Sequence, residues 1–304
     1  MAKNKVANEH YVPQAYLKSF SNSNEQCYVY DKINNKHFRS HISNILAERY
    51  LYDFPEELLK DISGLDTQSV EKILGNTVDA FWKNIAENIE QNFGWFSTRY
   101  SYHFLDTYRC ATIQLLRTPK GKKMLLNIYQ EAYKRKIDEN SENAIFAHEL
   151  LKIFDDNMQS VFWEFILNEY SHISVGLNET DIPIISSDNP IVVLPSIWNK
   201  GETMIYYPIT PKRCILFMKR KYVECQLNTV MKDVLEMRVI VSDLSDITQE
   251  AYNREKAMLK ILNPETIDLK QEDIIVLNTY IAKSSERFII SNQNMKIKTP
   301  WIDL

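Results

Sequence analysis

The stretch Pro183-Ile-Ile-Ser-Ser-Asp-Asn-Pro-Ile-Val-Val-Leu194 places two short apolar runs on either side of a polar turn. Short runs rich in β-branched residues and bounded by Pro or Asn are typical of strands. Similar runs occur at Ile173–Val175 and Cys214–Met218. No helical pattern separates these runs, so they predict a mainly antiparallel sheet around residues 170–225 and not a βαβ alternation.

The chain before this region has the residue spacing of helices. Apolar residues recur every three to four positions over 70–89 and again over 103–117, which is typical of amphipathic helices. Proline does not occur between 120 and 182, and it would interrupt a helix there. A further helix is predicted over 271–286, close to the end of the chain.

The first forty residues predict a short arm, a helix that starts near Pro13, and a β-hairpin. The hairpin would pair 27–30 with 36–39, because Asn34 and Asn35 tolerate the positive φ of a tight turn. The prediction is therefore a single α+β domain over 1–304, mostly helical, with this N-terminal hairpin and a segregated sheet. Its predicted parts are the arm and hairpin (1–64), a helical bundle (65–170), and the strands with the C-terminal helices (171–304).

Composition excludes several classes of protein. The 304 residues carry a net charge of -4, so there is no global attraction to nucleic acid or to an anionic membrane, although a local basic patch is allowed. The six glycines are isolated from one another, whereas phosphate-binding loops need several close together. The four cysteines form no CxxC pair and are typical of free thiols in a reducing cytosol.

The chain shows no export or membrane signal. Its first residues contain no apolar core of a signal peptide, and no apolar stretch reaches the roughly 18 residues of a membrane span. The sequence therefore predicts a cytoplasmic protein without a membrane partner.

Two polar blocks, each beside an apolar anchor, are candidates for a site. His10 stands just before the first helix, and an imidazole with a pKa of about 6.5 suits a general base or a metal ligand. The alternative is a structural histidine that bonds a backbone carbonyl. Asp188 could orient His10 or bind Mg²⁺ or Mn²⁺ with Asn189 beside it, whereas the alternative is a turn that Ser187 or Asp188 stabilises.

Three further positions, Gln114, Arg117 and Asn278, add to these candidates. Gln114 and Arg117 lie three residues apart and share a helix face. The planar guanidinium of Arg117 suits a phosphate, and basic residues such as Lys120 follow it. The alternative is a buried ion pair between Arg117 and Glu71 or Asp188. Asn278 could face the site or bond a carbonyl one helical turn earlier.

Several blocks together resemble the bacterial domain-of-unknown-function family 4238. They are His10-Tyr-Val-Pro-Gln-x-Tyr-Leu-x-x-Phe20, Tyr28-Val-Tyr-Asp-Lys32, Gln114-Leu-Leu-Arg-Thr-Pro119, Ser187-Asp-Asn-Pro-Ile-Val192, Pro208-Ile-Thr-Pro211, Leu277-Asn278 and Arg287-Phe-Ile-Ile-Ser291. The chain departs from the pattern with Ile191 in place of Val and Ile209 in place of Leu. The resemblance implies roles for the polar positions that match it: His10, Gln14, Gln114, Arg117, Ser187, Asp188, Asn189 and Asn278. Sporadic bacterial families of this size often belong to phage-defence or toxin systems, and a role of this kind is expected here by analogy with such families and not from the residues.

These observations give two hypotheses of different classes and one structural alternative. In the first, His10, Asp188 and Asn278 form the reacting cluster of a hydrolase, such as a nuclease, that acts on a nucleic acid or nucleotide, with or without Mg²⁺ or Mn²⁺. Gln14, Gln114, Arg117, Ser187 and Asn189 would then hold the substrate. In the second, the same residues bind a nucleotide, a nucleic acid or a protein without chemistry. In the structural alternative they are caps, turns and a buried ion pair.

Overall fold

The computed structural model describes residues 8–53, 66–89, 102–134, 139–154, 166, 169–170, 172–198, 201–219 and 266–294. Both helices and sheets are well represented, which confirms the predicted α+β class. The described helices are α1 (Gln14–Lys18), α2 (Ser69–Ile73), α3 (Ala80–Asn88), α4 (Tyr102–Arg117), α5 (Pro119–Tyr133), α6 (Glu139–Phe154) and α7 (Gln271–Ser284). A π-helical segment, Leu74–Asp79, joins α2 to α3.

The described strands fall into three sheets. They are β1 (Asn8–His10), β2 (Gln26–Asp31), β3 (Lys36–His41), β4 (Ala47–Arg49), β5 (His172–Asn178), β6 (Ser186–Ser187), β7 (Val192–Pro195), β8 (Thr203–Thr210), β9 (Arg213–Met218), β10 (Thr266–Leu269) and β11 (Phe288–Ser291). The sheet orders are β1-β4, β10-β5-β9-β8-β7 and β3-β2-β11-β6. Every pairing among them is antiparallel except β10 with β5.

The predicted hairpin is present, and its turn follows the expected chemistry. β2 and β3 pair antiparallel with Asp31 opposite Lys36, and Asn35 has a φ of +49°. The Asp31 carboxylate also accepts hydrogen bonds from the backbone N–H groups of Ile33 and Asn34, both at 3.0 Å. A short polar side chain that bonds the next backbone amides in this way stabilises the turn.

The prediction of a segregated sheet around 170–225 was wrong in one respect. The strands β5, β7, β8 and β9 do form a mainly antiparallel sheet there, but β10 joins its edge from far along the chain. The second large sheet places β11 between the hairpin strand β2 and the short strand β6. Strands this distant in sequence leave no local pattern of their pairing. Neither the sequence of β2 nor that of β11 therefore predicts that the two strands pair.

Two helices are locked together at the Arg117-Thr118-Pro119 corner. Thr118 caps α5, since its Oγ1 accepts the Gly121 N–H at 3.0 Å, and Pro119 follows at the first turn, where its missing N–H costs nothing. A Cβ atom on Gly121 would lie 1.9 Å from the carbonyl oxygen of Leu115. The close approach of α4 and α5 therefore requires glycine there, and it fixes Arg117 and Lys120 on either side of the corner.

Candidate functional site

The polar blocks meet around one concave surface, which we call the motif groove. It encloses about 480 Å³. Its lining draws on five parts of the chain. They are Tyr11 after β1, Ile33 and Phe38 of the hairpin with Glu48 of β4, Pro119 and Lys120 at the start of α5, Asp188 and Asn189 after β6, and residues 286–288 where β11 begins. Of the predicted site residues, Asp188 and Asn189 are among the described residues that line the groove. The other predicted residues are not part of this lining.

The Asp188 carboxylate accepts hydrogen bonds from backbone N–H groups. Its Oδ1 accepts the Glu286 N–H at 3.1 Å, and its Oδ2 accepts those of Arg287 and Phe288 at 2.6 and 2.9 Å. Burial raises the pKa of Asp188, while these three donors act in the opposite direction because they favour the ionised form. The predicted contact with His10 is not among its hydrogen bonds, so in the described structure Asp188 holds the 286–288 turn and does not orient His10.

Asn189 joins three elements beside this turn. Its Oδ1 accepts the Thr118 hydroxyl at 3.2 Å, and its Nδ2 donates to Ser284 Oγ at 2.7 Å. Its backbone N–H donates to Ser187 Oγ at 3.1 Å, which is the side-chain turn that the structural alternative predicts. Asn189 therefore connects the corner before α5 to the end of α7.

Arg117 is buried to 1% exposure and is bound on all sides by the protein. Its Nη1 donates to Asp79 Oδ1 at 2.9 Å, its Nη2 donates to the carbonyl oxygen of His10, and its Nε lies 3.4 Å from the Tyr52 hydroxyl. The Tyr52 hydroxyl donates in turn to the Arg117 carbonyl at 2.8 Å. These contacts connect the N-terminal segment to α4 and to the π-helical segment.

This placement corrects the predicted phosphate clamp at Arg117. A guanidinium enclosed by three protein acceptors presents no surface to a ligand, so the structural alternative describes Arg117 better. The acidic partner is Asp79, and neither Glu71 nor Asp188 makes the ion pair. Glu71 nevertheless lies near, since burial raises its pKa and the charge of Arg117 lowers it.

Gln114 and Asn278 are also fully buried and support backbone that leads to the groove. Gln114 Nε2 donates to the carbonyl oxygen of Tyr11 at 2.9 Å. Asn278 Nδ2 donates to the Pro183 carbonyl at 2.9 Å, and its Oδ1 accepts the Ile185 N–H at 3.1 Å. The sequence suggested that Asn278 faces the site or bonds a carbonyl one helical turn earlier. In the structure its side chain does neither, because it binds the backbone of the segment before β6.

His10, which is half-buried, and Gln14, which is exposed, form a separate pair. Gln14 Nε2 lies 3.4 Å from both ring nitrogens of His10. Burial lowers the pKa of His10, and the charge of Arg117 lowers it further, while the Ser43 backbone and Asp79 act in the opposite direction. Burial therefore favours the neutral imidazole, and His10 is not among the described residues that line the motif groove.

The lowered pKa of His10 predicts a pH-dependent stability. The folded state disfavours the protonated ring, so the neutral ring's stability is fully present above the unfolded pKa of about 6.5 and is lost as pH falls through and below that value. We expect the wild type to lose more free energy of unfolding than His10→Gln between pH 7.5 and pH 5. Urea unfolding of both proteins at the two pH values measures this difference, and parallel losses would contradict it.

Several groove residues were missed or undervalued in the sequence. Tyr11 is the neighbour of His10, and Lys120 lies three residues after Arg117. The Tyr11 hydroxyl makes no hydrogen bond within the described residues, and burial together with the charge of Asp188 raises its pKa. The sequence blocks therefore include residues that line the groove, but which side chain of each block faces it depends on packing.

The groove has two described cations, Lys120 and Arg287, which are held by different partners. Lys120 Nζ donates to the Ser284 carbonyl at 2.8 Å and to its hydroxyl at 3.1 Å, and a cation is favourable at a helix C-terminus. Arg287 donates from Nε and Nη2 to Asp31 Oδ2 at 3.0 and 2.8 Å, and this pairing raises the pKa of Arg287. Across the described residues, Lys120 has no carboxylate partner.

Two properties of the described residues bear on metal ions and on membranes. Within the described ranges, no group of three or more His, Cys, Asp or Glu is arranged to hold a metal ion. Every helix in those ranges falls short of the length and hydropathy that a membrane crossing requires.

One comparison with known proteins gave a match. A family model described as "Protein of unknown function (DUF4238)" matches residues 8–294, which include every residue of the motif groove. No curated protein and no solved structure matches the chain.

Proposed function

The chain belongs to the DUF4238 family, and we propose that it binds a phosphate-containing ligand, a nucleotide or the end of a nucleic-acid strand, in the motif groove. The observation that carries the proposal is Lys120, an exposed ammonium on the groove without a carboxylate partner among the described residues. Because its bonds go to neutral oxygens, its charge is available to an anion. Arg287 supports it, since its Nη1 makes no hydrogen bond to a described residue.

The apolar residues of the groove suit the rest of such a ligand. Ile33 is 70% exposed and Phe38 is 39% exposed, and both line the groove together with Phe288. Large exposed apolar side chains in a concave surface with a few polar groups are typical of a ligand site. A planar base against this wall and a phosphate near Lys120 would use both features.

Hydrolysis of the bound ligand is the second candidate, favoured by two exposed carboxylates. Glu48 and Glu286 line the groove, and either could accept a proton from an attacking water. They replace His10 and Asp188 in this role, because His10 does not line the groove and Asp188 is engaged with backbone N–H groups. Carboxylates are also the ligands that Mg²⁺ or Mn²⁺ would use. A phage-defence or toxin role belongs to this proposal as an analogy only.

The binding proposal predicts that Lys120→Gln weakens ligand affinity by roughly tenfold or more, as expected for the loss of one charge-assisted contact. Calorimetric titration would compare nucleoside di- and triphosphates, tripolyphosphate and short oligonucleotides. Lys123→Gln is the matched control, since Lys123 is exposed on the same helix but does not line the groove. Equal affinities for both variants, or no binding by the wild type, would overturn the proposal.

The choice between binding and hydrolysis needs a second assay on the same proteins. Wild type, Glu48→Gln and Glu286→Gln would be incubated with DNA, RNA, tRNA and nucleotides in Mg²⁺, Mn²⁺ or EDTA. Turnover that either substitution abolishes, in a protein that still binds ligand, supports a hydrolase. Binding without turnover under every condition supports the non-catalytic alternative.

A further inference from the structure

A second cavity lies on the other side of β3 from the motif groove. It encloses about 440 Å³, and its lining includes Tyr28, Tyr30, His37, Arg39, Gln293 and Asn294. Phe38 contributes to both linings, whereas Ser40 lines the motif groove only and His37 and Arg39 line the second cavity only. Alternate side chains of a strand point to opposite faces. We call this second cavity the outer-face cavity.

The outer-face cavity holds two pairs of planar groups. Tyr30 lies opposite His37, and Tyr28 lies opposite Arg39, in the register of β2 and β3. The rings of Tyr30 and His37 are stacked with centroids 4.5 Å apart and planes inclined by 25°. The Arg39 guanidinium lies 4.5 Å from the centre of the Tyr28 ring and donates a hydrogen bond to its hydroxyl. Each tyrosine thus orients an exposed planar group.

Arg39 gives the cavity a positive charge. No Asp or Glu is among the described residues that line it. Gln293 and Asn294 add exposed side-chain amides at the end of β11, and amides can bond the edges of a base. A surface with this charge and these planar groups suits a ligand that is both aromatic and anionic.

We propose that the outer-face cavity binds unpaired bases of single-stranded nucleic acid, which stack on Arg39 and His37. Bases splayed from a single strand stack on aromatic rings and on arginine guanidinium planes. Charged side chains on an edge strand can serve only to prevent aggregation between sheets. That role would require the charge, but it would not require planar groups supported by tyrosine rings. The inference does not rest on the function proposed for the motif groove, because His37 and Arg39 line only the outer-face cavity and Lys120 lines only the motif groove.

The substitution that separates these accounts is Arg39→Lys, which keeps the charge but loses the plane. Binding of a fluorescent single-stranded oligonucleotide of about eight nucleotides, a length within the usual site sizes, would be followed by anisotropy. All proteins would carry Lys120→Gln, so that the motif groove does not contribute. We expect Arg39→Lys to weaken binding roughly tenfold, in line with the loss of one stacked base. Lys36→Gln, a charge change on the same strand outside the cavity, should weaken it far less.

Two further arms complete the test. His37→Phe keeps a ring and should retain affinity, whereas His37→Ala should lose it. A duplex of the same length should bind more weakly than the single strand, because its bases are not free to stack. The inference is overturned if Arg39→Lys binds like its parent, if Lys36→Gln matches Arg39→Lys, if duplex and single strand bind equally, or if the parent binds neither. Both positions are exposed, so these substitutions leave the fold intact.

Discussion

Replacing Arg117 by methionine is expected to lower the free energy of unfolding by about 3–5 kcal/mol, the range for breaking a buried ion pair from one side. The substitution leaves the Asp79 carboxylate without its partner and the carbonyl of His10 without a donor. It also removes the contact with the Tyr52 hydroxyl. Urea unfolding of wild type and variant measures the loss directly.

Two controls show whether the loss has this cause. Lys123→Met removes an exposed cation and should change the free energy of unfolding by no more than about 0.5 kcal/mol. The double variant Arg117→Met with Asp79→Leu removes both charges, and it should recover part of the loss because the half-buried Asp79 carboxylate is no longer left without its partner. A stability of Arg117→Met within about 1 kcal/mol of wild type, the ordinary effect of a point substitution, would contradict the buried pair.

Asp188→Ala is the second large effect, with an expected loss of about 2–4 kcal/mol. The carboxylate accepts three backbone N–H groups from residues 286–288, and each bond to a charged acceptor contributes about 1.5–3 kcal/mol. Water reaches the turn once the side chain is removed, so the loss is smaller than a simple sum of the three bonds. The measurement is again urea unfolding, with the exposed Asp181→Ala as the matched control.

Asp188→Asn distinguishes this structural role from the predicted catalytic one. An amide keeps the size of the side chain but replaces one accepting oxygen with a donor that faces a backbone N–H. Asp188→Asn should therefore also be less stable than wild type. A variant with wild-type stability that had lost a measurable activity would instead support the predicted role in catalysis.

Sequence periodicity was sufficient for the helices and for the local strands. The 3.6-residue pattern predicted a helix over 103–117, and α4 runs from Tyr102 to Arg117. The Asn34-Asn35 turn predicted the β2–β3 hairpin. The pairing of β2 with β11 could not be predicted in the same way, because Tyr28 and Ser291 are partners that only the folded chain brings together.

The candidate site was predicted at the level of segments and not of side chains. A polar residue beside an apolar anchor has the same sequence pattern whether it binds backbone or faces solvent. Arg117 is enclosed while Lys120, one turn further on, is exposed, and the difference comes from the corner that Thr118 and Pro119 build between two helices. Arg117 and Gln114 therefore support the motif groove without lining it, whereas the buried Asp188 and Asn189 also line it.

In this account Arg117 stabilises the fold, whereas Lys120 faces a ligand. The measurement that tests this assignment most directly is the urea unfolding of Arg117→Lys and of Lys120→Gln, each compared with wild type. Lysine retains the charge but cannot reach Asp79, the His10 carbonyl and Tyr52 with one planar fork. The account predicts that Arg117→Lys loses at least about 2 kcal/mol, well beyond a typical surface substitution, while Lys120→Gln stays within about 0.5 kcal/mol of wild type. A stable Arg117→Lys together with a strongly destabilised Lys120→Gln would contradict it.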